Sequence, residues 1–213
     1  MDLFQPRKQE LYKSLAVRNN AIQTLVDRGF RISEGIFKLS LEDFEKIREK
    51  ELHHIFFSEL VNIDGSEYKD GGVLLYFEAS DKMDKKTLQQ LLQRLEKEYP
   101  KLDKLFIVLQ QGIKKRKINF NVLDELKNYP YVEILDNVFP FSITKNVIMP
   151  TFVKLTLEEK EKVVEIIGTQ LPKMILTDPI AVRYGAKVGD ILKVVRNGGL
   201  DISYRIISEP VIL

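Results

Sequence analysis

LPKMILTDPIAVRYGAKVGDILKVVRNGG, residues 171–199, sets two apolar runs around an Asp-Pro, an Arg-Tyr-Gly and a Gly-Asp. Most of these small and polar residues read as folding instructions. MIL is a short strand. Asp178 is placed to cap a helix by accepting backbone N–H bonds, and Pro179 takes the first helical position, where a missing N–H costs nothing. Gly185 suits the left-handed residue that closes a helix over 179–184. Gly189-Asp190 turns the chain into the strand ILKVVR, and Asn197-Gly198 is a tight-hairpin signal joining it to LDISYRII. Helix punctuation requires neither Arg183, Tyr184 nor Arg205, so these three are candidates for a role beyond the fold.

Upstream, Thr156 and Glu159 form a capping-box pattern for a helix that turns Leu157, Val163, Ile166 and Ile167 toward a core and stops at Gly168. Before it, VFPFSITKNVIMPTF has two prolines and no helical period. A domain junction is expected there, near 142–150, dividing the chain into 1–145 and 146–213.

The first part alternates helices and strands. A helix over about Arg7 to Arg28 sets Leu11, Leu15, Ile22, Leu25 and Val26 at three- and four-residue spacings and ends at Gly29. Ser40 and Asp43 open a second helix carrying Leu41, Phe44 and Ile47. IFFSELV (55–61) and GVLLYFEA (72–79) read as strands, followed by a helix with Leu88, Leu91, Leu92 and Leu95. LFIVLQ (105–110) is apolar on both faces and so a central strand; a helix over 119–128 leads to the strand YVEILD at 131–136. The expected fold class is α+β: an N-terminal mixed α/β domain with helices around a sheet, and a small C-terminal α+β domain.

Composition narrows the function classes. The chain has 213 residues, 44% hydrophobic and 30% charged, enough to bury a core and long enough for two domains. It contains no run of about 18 apolar residues, which points to a soluble globular chain with no membrane span. The start MDLFQPRKQELYK has no apolar segment of the kind a secretory signal needs. Without cysteine there is no disulfide, thiol nucleophile or Cys-ligated zinc, which fits an intracellular protein. Thirty-three basic and 31 acidic residues leave a net charge of +2, too small for the whole-chain field to argue for nucleic acid. The local exception is GIKKRKIN, where Lys114, Lys115, Arg116 and Lys117 follow a strand directly. Four cations on a strand-end loop are suited to sequence-independent contact with phosphate.

Residues 147–207 resemble the C-terminal domain of the fifth subunit shared by eukaryotic nuclear RNA polymerases, itself similar to a shorter counterpart in archaeal RNA polymerase. The resemblance rests on LTLEEKEKVVE, on the opening stretch, where the family reads close to LP-x-I-x-x-x-DP-[VI]-A-R-[YF]-x-G, and on ISYRII. Val182 stands as an extra residue between Ala181 and Arg183, so that Arg183, Tyr184 and Gly185 are adjacent here. The first half is more loosely similar, through DRGFRIS, SLEDF, FIVLQQG and VFPFSIT. Asn146 and Phe152 replace two histidines usual in the family, and the family's T-P-x-A-like loop is replaced by the four cations. Two domains point to the eukaryotic type, since the archaeal counterpart lacks the first. The divergence suits a copy encoded by a large DNA virus.

The resemblance implies a noncatalytic subunit of a DNA-dependent RNA polymerase, without cofactor or metal. Its C-terminal domain would assemble on the largest subunit, with other polymerase subunits as neighbours, and its N-terminal domain would form a jaw facing downstream double-stranded DNA. Implied sites are DNA contact at Lys114, Lys115, Arg116 and Lys117, and a subunit interface at Asp178, Pro179, Arg183, Tyr184, Gly185 and Arg205. The implied place is the nucleus if the chain is cellular, and a cytoplasmic replication factory or virion if it is viral. The competing class is a free-standing nucleic-acid-binding adaptor. The family's N-terminal domain is similar in fold to restriction endonucleases, but such enzymes need converging carboxylates and a lysine held on a strand. The string Glu67-Tyr68-Lys69 lies in a turn-rich segment, and the adjacent His53 and His54 would face opposite ways on a strand.

Overall fold

In a computed structural model the chain is described over residues 4–36, 39–49, 54–57, 72–78, 83–109, 122, 125–135, 144, 146 and 148–209. It divides into two compact units, Met1–Phe141 and Ser142–Leu213. Each has its own four-stranded sheet, and the fold is mixed α and β.

The first unit contains α1 (Phe4–Asp27), α2 (Leu41–Glu49), β1 (His54–Phe57), β2 (Val73–Glu78), α3 (Lys85–Glu98), β3 (Lys104–Leu109) and β4 (Val132–Leu135). The strand order is β1-β2-β3-β4; β1 runs antiparallel to β2, whereas β2, β3 and β4 are parallel. Apolar residues fill both faces of β2 and β3, the mark of a parallel sheet covered on each side. Val73, Leu75, Phe77, Phe106 and Val108 pack with Val17, Ala21, Ile22 and Leu25 of α1. Leu74, Tyr76, Leu105, Ile107 and Leu109 pack with Leu88, Leu91, Leu92 and Leu95 of α3. Period-2 alternation thus sorts one apolar run into two cores.

Local chemistry fixes the ends. Gly29, at φ 98°, ends α1, and the Phe30 N–H returns to the Leu25 carbonyl at 3.0 Å. The turn is pinned to the sheet: Arg28 Nη2 lies 2.7 Å from Glu133 Oε1, its guanidinium sits 5.3 Å from the Phe106 ring centre, and Phe30 meets that ring edge-on. Asp84 caps α3 by accepting the Thr87 N–H at 2.7 Å. The expected helix over 119–128 is described at Val122, Glu125 and Leu126, which are helical. Glu125, buried there, accepts from Gln89 Nε2 at 2.7 Å and pairs with Lys85 at 2.8 Å, tying this segment to α3. At α2 the expected box takes a shorter form: the Asp43 N–H donates to Ser40 Oγ, and that hydroxyl donates to Asp43 Oδ2 at 2.6 Å.

The second unit contains β5 (Thr151–Lys154), α4 (Leu157–Ile167), β6 (Lys173–Ile175), α5 (Pro179–Arg183), β7 (Ile191–Arg196) and β8 (Asp201–Ser208), in the sheet order β5-β7-β8-β6. Its core joins Ile180, Ala181 and Tyr184 to Phe152, Leu192, Val194 and Ile207. Three sequence expectations are corrected here. TFVK, read as part of an unstructured junction, is an edge strand paired with β7. The β7–β8 hairpin pairs Arg196 with Asp201, leaving a four-residue loop instead of a two-residue Asn-Gly turn; Asn197, Gly198 and Gly199 all have positive φ. The capping box of α4 is present in both directions, Thr156 with Glu159, but the helix has no buried residue. Leu157, Ile166 and Ile167, expected to face a core, are 70%, 82% and 53% exposed.

Candidate interaction surface

The Asp-Pro turn is built as its residues dictate. Asp178 Oδ1 accepts the Ile180 N–H at 2.8 Å, and Pro179 follows at the first helical position, exposed. Gly185 adopts φ 56°, letting the Ala186 N–H reach the Ala181 carbonyl at 2.9 Å. Arg183 and Tyr184 are buried in their own unit. The Tyr184 ring lies 6.3 Å from that of Phe152, so of the two expectations for this tyrosine, anchor on a partner or cover over its own sheet, the fold has the second. Arg205 is half-buried and shares a sheet face with its register partner Leu192. Asp178, Pro179 and Gly185 frame α5, while Arg183 is buried and Tyr184 joins the core with Phe152, Leu192 and Ile207. The outward part of the expected interface is therefore the rim of this turn.

A second polar cluster ties the turn to edge strand β5. Asp190 Oδ2 accepts the Lys187 N–H at 2.8 Å and holds Lys154 Nζ at 2.8 Å, which also reaches the Gly185 carbonyl at 3.5 Å. The pair joins edge strand β5 to the loop before β7 across 36 positions. No local sequence signal announces it.

The exposed apolar residues are unevenly distributed. Of the ten large apolar side chains exposed among the described residues, Tyr12 alone lies in the first unit. The other nine lie between Ile148 and Ile202 and include Val153 on β5, Leu157, Ile166 and Ile167 on α4, and Ile175 on β6. Helix α4 buries none of its residues fully, and the strands of this unit carry half-exposed Val153, Ile175 and Ile202. Sequence periodicity found α4's apolar residues; Val163 is half-buried, but Leu157, Ile166 and Ile167, assigned to a core, are exposed.

The basic run Lys114, Lys115, Arg116 and Lys117 lies outside the described residues, as do Glu67, Lys69 and His53. The segment leaves the carboxyl end of β3, the central parallel strand, and rejoins described structure at Val122. Among the described residues no group of three His, Asp or Glu stands together to hold a metal ion, and no helix is long and apolar enough to cross a membrane.

Comparison with known proteins adds a family match. The RNA polymerase Rpb5 C-terminal domain matches residues 141–207, close to the second compact unit. The chain is 22% identical over 207 residues to the DNA-directed RNA polymerases I, II, and III subunit RPABC1 of Caenorhabditis briggsae, covering 93% of this chain and 97% of that protein. To the same subunit of Caenorhabditis elegans it is 24% identical over 211 residues, with the same coverage. Against the DNA-directed RNA polymerase subunit Rpo5 of Methanothrix thermoacetophila the identity is 37% over 75 residues, 32% of this chain and 96% of the archaeal protein.

Proposed function

The chain belongs to the family of the RNA polymerase subunits Rpb5 and Rpo5, and from that membership we propose that it serves as a noncatalytic subunit of a DNA-dependent RNA polymerase. The observation that supports the reading is that, among the described residues, nine of the ten exposed large apolar side chains lie in residues 142–213. A surface of that kind gains free energy when covered, at about 25 cal/mol per Å² of apolar area removed from water.

In this reading residues 146–213 dock on the largest polymerase subunit, with neighbouring subunits covering what remains. The rim of the Asp-Pro turn, formed by Asp178, Pro179 and Gly185, meets the partner. Arg183 and Tyr184 support it from inside, and Arg205 supports it from the sheet. Residues 1–145 act as a jaw toward downstream double-stranded DNA, with Lys114, Lys115, Arg116 and Lys117 supplying sequence-independent attraction to phosphate. The chain works where that transcription machinery is found.

Splitting the chain tests the division of labour. Tagged fragments 142–213 and 1–141, expressed separately beside the intact polymerase subunits, should differ. The C-terminal fragment should recover the large catalytic subunits and the N-terminal fragment should not. Recovery by the N-terminal fragment alone would mean that assembly belongs to the other half of the chain.

A further inference from the structure

Helix α4 presents one continuous outward arc. With Leu157 at zero and about 100° per residue, Glu161 falls near 40°, Glu165 near 80°, Glu158 near 100° and Ile166 near 180°. The three glutamates are exposed, with Lys162 the one cation among them, and the arc is bounded by exposed Leu157 and Ile166. On the opposite side Lys160, Val163 and Val164 are half-buried, while Glu159 and Ile167 are exposed. Acidic residues in a first turn favour the helix dipole, which accounts for Glu158 and Glu159. It does not account for Glu161 and Glu165, further along the helix. Among the described residues no cation forms a salt bridge with Glu158, Glu161 or Glu165.

Two occupants are disfavoured by charge. Nucleic acid would bring phosphates to three carboxylates. A second copy of this helix would set six carboxylates face to face. Resting on the polymerase-subunit reading, we infer that the outer face of α4 docks a cationic amphipathic segment of another polymerase subunit. Lys or Arg residues of that segment meet Glu158, Glu161 and Glu165, and its apolar residues cover Leu157 and Ile166. Charge gives this contact its register and salt dependence, and the apolar flanks hold it once formed.

The test uses the intact polymerase carrying the tagged full-length chain, washed at rising salt. Glu158→Lys/Glu161→Lys/Glu165→Lys should lower the salt concentration for half-release to roughly half that of the wild type or less. The milder Glu158→Gln/Glu161→Gln/Glu165→Gln, which keeps side-chain shape, should move it in the same direction, so the result survives if the reversed variant folds poorly. Leu157→Ser/Ile166→Ser should weaken retention at every salt concentration. A photo-crosslinker at Ile166 should capture a segment rich in Lys or Arg. If wild type and both glutamate variants wash off together, or the captured segment is acidic or neutral, the inference is overturned while the subunit reading stands. A wild-type chain that recovers no polymerase overturns both.

Discussion

Lys154 Nζ stands 2.8 Å from Asp190 Oδ2, an oxygen that also accepts the Lys187 N–H at 2.8 Å. One carboxylate thus holds an edge strand and a turn together. Because both side chains are partly exposed, water and salt screen the pair, and its removal should cost modestly. Asp190→Ala, which also frees the turn N–H, should destabilise the second unit by about 1 kcal/mol, and Lys154→Met by under about 0.5 kcal/mol. Urea unfolding of the two variants checks the order; a costlier Lys154→Met would mean that the turn hydrogen bond contributes little.

Tyr184 is buried against Phe152, so its truncation should be felt in the fold. Tyr184→Ala should cost about 3 kcal/mol, in the range of large aromatic truncations. The unfolding midpoint of the free chain reads this directly. An unchanged midpoint with lost polymerase retention would instead return Tyr184 to the partner interface.

Asp84 gives a pH signature. The Thr87 backbone N–H holds its carboxyl below the usual carboxylate range. A carboxyl depressed in the folded state contributes stability above its unfolded pKa of about 3.9 and loses that contribution as pH falls through the folded value. Asp84→Ala should therefore be less stable than wild type near pH 6.5, and the gap should close below about pH 4. A gap unchanged down to about pH 2.5 would mean that charge plays no part in the cap.

Changing Lys114, Lys115, Arg116 and Lys117 to Ser should leave the melting temperature nearly unchanged and loosen the assembled polymerase's hold on downstream duplex. Each lost phosphate contact lowers the slope of log K against log salt by about 0.9, and one or two contacts give a change of roughly 1 to 2. Dissociation of elongation complexes across a salt series, repeated on an unrelated DNA sequence, measures it. Overlapping curves would make the run ordinary solvated surface, and an effect on one DNA alone would indicate base reading.

What was legible in the sequence was what local chemistry decides. Asp178, Pro179, Gly185 and the Thr156–Glu159 box could be read because caps and left-handed positions depend on neighbours a few residues away. The central place of β3 could be read because a parallel strand is apolar on both faces. The long-range features could not. Nothing near Lys154 names Asp190, and nothing near Arg28 names Glu133. The four-residue strand β5 is too short to show alternation, and Gly199 after Asn197-Gly198 lengthened the hairpin loop. The apolar stripe of α4 misled most: periodicity marks a face to be covered, and it does not say whether the cover belongs to the same chain.

Affinity purification of the tagged full-length chain from its native source, with subunit stoichiometry read from the intact complex, tests the central claim most directly. The expected result is one copy of this 24.8 kDa chain with one copy of each of two very large catalytic polymerase subunits, stable through size exclusion. A chain recovered alone, or on nucleic acid without those subunits, would contradict it and make the protein a free-standing nucleic-acid-binding adaptor.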